Sequence, residues 1–219
     1  MLRLLFEKTG RSVWISHLDL MRLFQRAFKR AGLPLTHTQG FNPRPSVSIA
    51  LPLSVGIESR CELLDFELEA CNATTDEIRN KLNEGLVDGI RVLSVYENGG
   101  KIRDLCYLQC ELVLEYDFGV ADGCVAELKA LFSGESIVVP KKTKNGIQDQ
   151  NIASMIKEIS FEQANDREVV CHCIICSQNP TLNPAQIPLA IERYCPEWKA
   201  DFCRIIRLEI FNQNLEVFR

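Results

Sequence analysis

The alternation of hydrophobic and polar positions divides the first 97 residues into six segments. A two-residue period predicts strands at 2–8, 47–53, 63–68 and 90–96. Apolar residues spaced three and four apart predict helices that begin after Ser16 and after Thr74. Each of these residues is a good N-cap, and an acidic residue follows it three positions later. The order β-α-β-β-α-β predicts a ferredoxin-like domain.

The first predicted helix should bury one face and expose another. Its predicted buried line comprises Leu18, Met21, Phe24, Ala27, Phe28 and Ala31. Gly32 and Pro34 follow in the order that ends helices. The opposite side carries the cationic residues Arg22, Arg26, Lys29 and Arg30.

A similar order of elements is predicted for the second half. Strands are expected at 106–116, 137–142, 168–175 and 204–211, with helices at 120–132 and 184–194 and a short helix after Asn151. Asn98-Gly99-Gly100 is the best candidate for a linker. We therefore predict an α+β protein with two tandem ferredoxin-like (βαββαβ) domains, at 1–98 and 101–219.

Composition limits the class of protein. With 219 residues and 46% hydrophobic residues, the chain can bury a sizeable core. No apolar run reaches the roughly 18 residues that cross a bilayer, and the start lacks the features of a signal peptide. These features predict a cytoplasmic protein with no membrane contact. The ten cysteines are then expected to be reduced and to act as small hydrophobes.

Charge is distributed unevenly along the chain. The net charge is −4, yet the first 60 residues carry +6 and the remainder −10. This asymmetry indicates an anionic partner for the first segment. Arg22, Arg26, Lys29 and Arg30 lie at i, i+4, i+7 and i+8, so they form one stripe that could follow a phosphate backbone. The alternative is an ordinary solvated helix face.

A proline-rich loop follows the helix and supplies further candidate ligand contacts. Prolines stiffen the sequence Gly40-Phe41-Asn42-Pro43-Arg44-Pro45, which lowers the entropic cost of binding. Phe41 could stack on a base, and Asn42 and Arg44 could donate hydrogen bonds to a nucleotide. The alternative is a structural loop in which Asn42 and Arg44 bond to the main chain.

Other polar residues give weaker signals. His17 and His37 are candidate acid–base residues, and Lys141, Lys142 and Lys144 could extend a cationic track across a turn. Cys171, Cys173 and Cys176 resemble a metal motif, but on a strand the first two share a face that the third does not. No metal or other cofactor is expected. A site completed by Cys195 and Cys203 is the alternative.

The long motif from Ser16 through Gly40-Phe41-Asn42-Pro43-Arg44-Pro45 to Ser59 resembles the radical SAM-linked family of domains of unknown function. The resemblance is specific over residues 2–68. It implies work beside a radical SAM protein, plausibly on RNA, because the family is found next to or fused to such proteins and near ribonuclease E/G genes. The family's basic stretch after the second-half hairpin is absent, since residues 144–152 lack arginine.

Three functional hypotheses follow. In the first, the protein has no catalytic activity of its own and presents tRNA or rRNA to a radical SAM enzyme for modification or processing. In the second, it is a metal-independent RNA-processing enzyme that uses His17 and His37. In the third, it is an adaptor that binds the radical SAM protein without RNA contact, which the acidic second half would suit.

Overall fold

Two units of mixed α and β structure make up the part of the chain that the computed structural model describes, residues 1–69, 72–143 and 146–219. The first unit comprises Met1–Ile102 together with Arg219, and the second comprises Arg103–Phe218. The predicted linker, residues 98–100, lies shortly before this division.

The first unit has the predicted order of elements. Its helices and strands are β1 (Leu2–Lys8), α1 (His17–Arg30), β2 (Val47–Ile49), β3 (Glu58–Phe66), α2 (Thr75–Gly85) and β4 (Ile90–Glu97). The strands lie in the order β4-β1-β3-β2, and each neighbouring pair is antiparallel. β2 is shorter than the predicted strand 47–53, because its pairing with β3 ends at Ile49 opposite Leu64.

Both helices of this unit pack on one hydrophobic core. Phe6 of β1 meets Phe24 of α1 edge-on, with ring centroids 4.8 Å apart. Phe28 of α1 lies against Phe66 of β3, again at 4.8 Å. From α2, Ile78 and Leu82 join the same core. Rings at this separation and tilt bury a large apolar area in favourable edge contacts.

The buried line of α1 differs from the predicted one at its start. Leu20, Phe24, Ala27 and Phe28 form the core-facing line. Leu18 was predicted to be buried but is 66% exposed. Two residues turn a helix by about 200°, so burial of Leu20 directs Leu18 to the opposite side.

The second unit contains four strands in one antiparallel sheet and a separate hairpin. Its elements are β5 (Leu105–Glu115), α3 (Cys124–Phe132), β6 (Val138–Thr143), β7 (Gly146–Asn151), β8 (Ile156–Asn165), β9 (Glu168–Cys176), α4 (Gln186–Tyr194) and β10 (Phe202–Asn212). The sheet order is β10-β5-β9-β8. β6 and β7 pair only with each other among the described residues.

Two predictions for this half were wrong. Strand 137–142 was assigned to the main sheet, but β6 belongs to the separate hairpin and β8 occupies the sheet position. The short helix after Asn151 is only a 3-10 turn, Ala153–Met155. β7 and β8 are mostly exposed, so they lack the alternation that reveals a half-buried strand.

No helix in the described ranges combines the length and the apolar composition needed to cross a bilayer.

Candidate nucleic-acid interface

The outer side of α1 carries the predicted cationic residues. We call Arg22, Arg26, Lys29 and Arg30 the cationic face; all four side chains are exposed. Ser16 caps the helix through a bond that its hydroxyl accepts from the Asp19 N–H, as predicted. The buried line of α1 fixes the helix on the sheet, so the cationic face is held outward.

Two members of the cationic face already have protein partners. Arg22 forms a 3.0 Å ion pair with Asp19, and the guanidinium of Arg30 donates to the Gly85 carbonyl at 2.6 Å. The hydrogen bond from Ser16 and the neighbouring Arg22 hold the pKa of Asp19 below its usual range. Arg26 and Lys29 make no hydrogen bond or ion pair with any residue that the structure describes, which leaves these two cations available to an anionic ligand.

The loop after α1 is an anchored hairpin. The Thr38 N–H donates to the Arg44 carbonyl, and the Ser46 N–H donates to the Thr36 carbonyl, both at 2.8 Å. The Arg44 N–H also donates to the Thr38 hydroxyl at 3.0 Å. A bond from the Thr36 N–H to the Glu67 carbonyl ties the base to the chain after β3. We call this segment the hairpin 36–46.

The hairpin displays the three residues that the sequence singled out. Phe41 is fully exposed, and Asn42 and Arg44 are also exposed. Within the described ranges, the Asn42 and Arg44 side chains make no hydrogen bond, so they do not hold the loop. Main-chain bonds and the Thr38 hydroxyl supply the anchoring instead, and the side chains of Asn42 and Arg44 are presented outward.

The two candidate acid–base histidines are not brought together. His17 begins α1 two residues after Ile15, whose carbonyl accepts a hydrogen bond from the ammonium of Lys8 at the end of β1. His37 follows Leu35, which pairs with Leu68 beyond the other end of β1. The seven residues of β1 span about 20 Å. A joint acid–base site for His17 and His37 therefore has no geometric support.

The predicted cationic residues of the second half lie on the β6–β7 hairpin. Lys142 is exposed, whereas the half-buried Lys141 donates its ammonium to the Thr181 carbonyl at 3.3 Å. Lys144 lies outside the described residues. In the β6–β7 ladder, Lys142 lies opposite Ile147 and Lys141 lies opposite Gln148. Neither lysine therefore has an acidic residue directly across from it.

The cysteines of β9 alternate as strand geometry predicts. Cys171 and Cys173 are buried, and Cys176 lies on the other face. Cys173 lies directly opposite Cys110 of β5. The hydrogen bond with Cys110 lowers the pKa of Cys173, but a hydrogen bond with Cys171 and burial outweigh it and raise that pKa overall. Within the described ranges, no group of three or more His, Cys, Asp and Glu side chains could hold a metal ion.

The exposure of side chains in the structure identifies a further candidate for nucleic-acid contact, which the sequence pattern did not indicate. Trp14 is 70% exposed just before α1. It ends a 3-10 helix, Gly10–Trp14. An exposed tryptophan is uncommon, but exposure follows from the packing of the turn and leaves no mark in sequence periodicity.

The second unit presents an acidic sheet face. Side chains directly opposite one another on neighbouring strands share a face of the sheet. One face of β5, β9 and β8 carries five glutamates: Glu111, Glu115, Glu158, Glu162 and Glu168. His172 lies between Glu111 and Glu162, with nitrogen–oxygen distances of 3.8 and 3.6 Å. Arg204 pairs with Glu115 and with Glu168. This surface is unsuited to a phosphate backbone.

The fold is similar to that of a solved structure. A chain from the crystal structure of a Cbf5-Nop10-Gar1 complex matches 95% of this chain with a TM-score of 0.53 and 7% identity. This chain spans 48% of that chain, about half of its length. At such low identity the likeness concerns the α+β fold alone.

A second structural match is weaker. An unknown protein from Galdieria sulphuraria shares 13% identity, with 94% of this chain and 96% of that chain covered, at a TM-score of 0.26. No significant match was found among functionally curated proteins.

The sequence itself assigns a family. Residues 1–184 match the family model described as an uncharacterized protein conserved in bacteria, DUF2344. The matched range contains the cationic face, the hairpin 36–46, Trp14 and most of the second unit. The chain therefore belongs to the DUF2344 family of uncharacterized bacterial proteins.

Proposed function

We propose that this protein binds RNA through the cationic face of α1 and the hairpin 36–46. One observation carries the proposal: α1 exposes cations without protein partners among the described residues, and the anchored hairpin that follows it exposes an aromatic ring. Arg26 and Lys29 are exposed without hydrogen bonds or ion pairs to the described residues, and the hairpin that follows α1 exposes Phe41, Asn42 and Arg44. Cations for phosphates and an aromatic ring for a base are the two components of sequence-tolerant RNA binding.

The rigid base of the hairpin supports this proposal. Its main-chain bonds fix Thr36, Thr38, Arg44 and Ser46 before any ligand arrives. Little backbone entropy is then lost when a nucleotide binds at the tip. A purely structural loop would use its polar side chains to hold itself, whereas Asn42 and Arg44 make no such bonds with the described residues.

We further propose that each unit is a ferredoxin-like domain. The sheet orders β4-β1-β3-β2 and β10-β5-β9-β8 correspond to one another, with a helix in the chain between the first and second strands and between the third and fourth. This correspondence supports the tandem arrangement, with the β6–β7 hairpin as an insertion in the second domain.

Within this proposal the protein is an accessory factor with no cofactor of its own. Its resemblance to radical SAM-linked domains suggests that the RNA is presented to a separate radical SAM enzyme. The acidic sheet face of the second unit is a suitable surface for a basic patch on that enzyme. Nuclease-treated co-purification tests this part: loss of the enzyme with the RNA contradicts direct contact, and retention supports it.

The RNA-binding proposal is tested by charge reversal at the two available cations. Arg26→Glu with Lys29→Glu should abolish binding to total cellular RNA in a filter or anisotropy assay. The control, Arg79→Glu with Lys81→Glu, makes the same charge change on α2, where Arg79 is paired with Asp76, and should weaken RNA binding far less. Unchanged affinity in the α1 variant, with the fold confirmed by circular dichroism, would refute the proposal.

A further inference from the structure

Trp14 occupies a supported but exposed position. Its six-membered ring lies over Gly56, where an added Cβ would sit 3.5 Å from Cζ3 and 3.9 Å from Cη2. The Gly56 N–H donates to the carbonyl of Val13 at 3.0 Å, which ties the glycine turn to the 3-10 helix beneath the indole. The ring is therefore backed by main chain while 70% of the residue remains accessible.

The cationic face lies between Trp14 and the hairpin 36–46 in the chain. Trp14 precedes the N-cap Ser16 by two residues, and the hairpin follows the last turn of α1. Leu18, 66% exposed, is four residues before Arg22 and so continues the outer side of α1 toward Trp14. One exposed aromatic residue, Trp14, thus precedes the helix that carries the available cations Arg26 and Lys29, and a second, Phe41, follows it in the chain.

We infer that the RNA recognised by this protein is single-stranded, with one base stacked on Trp14, the backbone along α1 and a second base on Phe41. The inference rests on the proposed RNA-binding function and deepens it by naming the structural class of the RNA. Trp14 and Phe41 can each offer a ring face to one base, and the cations between them can meet the connecting phosphates.

Single-stranded RNA fits this arrangement better than a duplex does. Base faces in an A-form helix are covered by neighbouring bases, so exposed rings find no free face to stack on. A duplex would use the cations alone, leaving Trp14 and Phe41 in water. Exposed aromatic rings together with cations that contact the backbone are the combination that single-strand sites use.

Tryptophan fluorescence tests this inference directly. The chain has two tryptophans, so Trp198→Phe leaves Trp14 as the sole indole emitter. In this variant, a ten-nucleotide oligouridine should quench the Trp14 emission as it binds, because a stacked base quenches indole fluorescence. A blunt RNA duplex of equal length should bind more weakly and quench little.

A variant series gives a second measurement. Anisotropy of labelled oligouridine should show a loss of affinity of about 5- to 100-fold for Trp14→Ala, whereas Trp14→Phe should retain most of it. Circular dichroism and urea unfolding check the fold of each variant. Should Trp14→Ala fail to fold, the fluorescence titration and Trp14→Phe still decide the question.

The outcomes separate this inference from the proposed function. If RNA binds through Arg26 and Lys29 but the Trp14 emission is unchanged at saturation, the stacking inference is wrong and the RNA-binding proposal survives. Equal affinity for the duplex, without quenching, also overturns it. If neither RNA binds, the proposed function itself fails.

Discussion

The guanidinium of Arg30, the last residue of α1, donates a 2.6 Å hydrogen bond to the carbonyl of Gly85, the last residue of α2. The two helices are thus joined at their C-terminal ends. A helix end leaves its last carbonyls without partners and carries partial negative charge, so a cation there both satisfies a carbonyl and complements the dipole. Arg30 therefore has a structural role that the neighbouring Arg26 and Lys29 lack.

Arg30→Ala should destabilise the protein by about 1 kcal/mol, because it removes a hydrogen bond to a charged donor at a partly solvated site. Arg26→Ala should leave the free energy of unfolding nearly unchanged. Urea unfolding of the two variants makes the comparison. Equal midpoints would contradict the structural role of Arg30.

Phe41→Ala should weaken RNA binding by about 5- to 100-fold, since the proposed function assigns base stacking to this ring of the hairpin 36–46. The free energy of unfolding should not fall, because Phe41 is fully exposed. Anisotropy and urea unfolding measure the two quantities. Phe41→Tyr is the control and should retain binding; a destabilised Phe41→Ala variant would show that the ring has contacts in the folded protein.

Asp19→Asn should raise RNA affinity by about two- to fivefold, because it releases Arg22 and removes a negative charge beside the cationic face. The effect should shrink as salt is added. Asp76→Asn is a matched control, since Asp76 forms an equivalent first-turn ion pair with Arg79 on α2, at 3.1 Å. A similar gain from both variants would point to net charge rather than to the position of Asp19.

Gly89→Ala should destabilise the protein by about 3 kcal/mol. Gly89 has a φ of +80°, and an added Cβ would lie 2.3 Å from the Thr9 carbonyl oxygen. Gly10→Ala is the control: its φ is +55° but its Cβ position is open, so only about 1 kcal/mol of backbone strain is expected. Urea unfolding should rank the two variants in this order, and the reverse ranking would contradict the close approach.

The capping box of α2 should make stability sensitive to acid. The Glu77 carboxylate accepts hydrogen bonds from the N–H and from the hydroxyl of Thr74. These bonds lower the pKa of Glu77, and the bond from the N–H has the larger effect. A carboxyl whose folded pKa is depressed stabilises the protein above its unfolded pKa of about 4.3, and this contribution disappears as pH falls through the folded pKa. Wild type should therefore lose more stability than Glu77→Gln between about pH 6 and pH 3. Parallel urea midpoints for both proteins at the two pH values would contradict this.

The sequence predicted the first unit well because its signals are local. Ser16 and Thr74 cap their helices as expected, and the capping box at Thr74 and Glu77 is present. The misassignment of Leu18 arose at a helix end, where the preceding 3-10 turn and the burial of Leu20 set the phase. Helical spacing of six apolar residues does not show which of the terminal ones is exposed to solvent.

The second unit was harder to predict because β7 and β8 are largely exposed. β7 reads Gly146–Asn151 with almost no buried residue, and β8 buries only Phe161 fully. Such strands are held by main-chain bonds to a neighbour, and those bonds do not depend on side-chain alternation. The pairing of β9 with β8 rather than with β6 likewise depends on residues that are distant in the sequence, so local patterns do not predict it.

Residue type indicated the candidate site only in part. The cationic face and Phe41, Asn42 and Arg44 could be proposed from spacing and chemistry. Which of the cations are available to a ligand could not be predicted, because that depends on the protein partners that the fold supplies. These partners are Asp19 for Arg22, Gly85 for Arg30 and Thr181 for Lys141. Trp14 was missed because its exposure depends on the Gly56 turn beneath it.

The hairpin 36–46 is held by one set of groups and exposes another. Its main chain is fixed at Thr36, Thr38, Arg44 and Ser46, while the side chains of Phe41, Asn42 and Arg44 make no hydrogen bonds with the described residues. Substitutions at 41, 42 and 44 should therefore alter ligand preference with little cost in expression or solubility. Under the proposed function, a randomised library at these three positions would select for recognition alone.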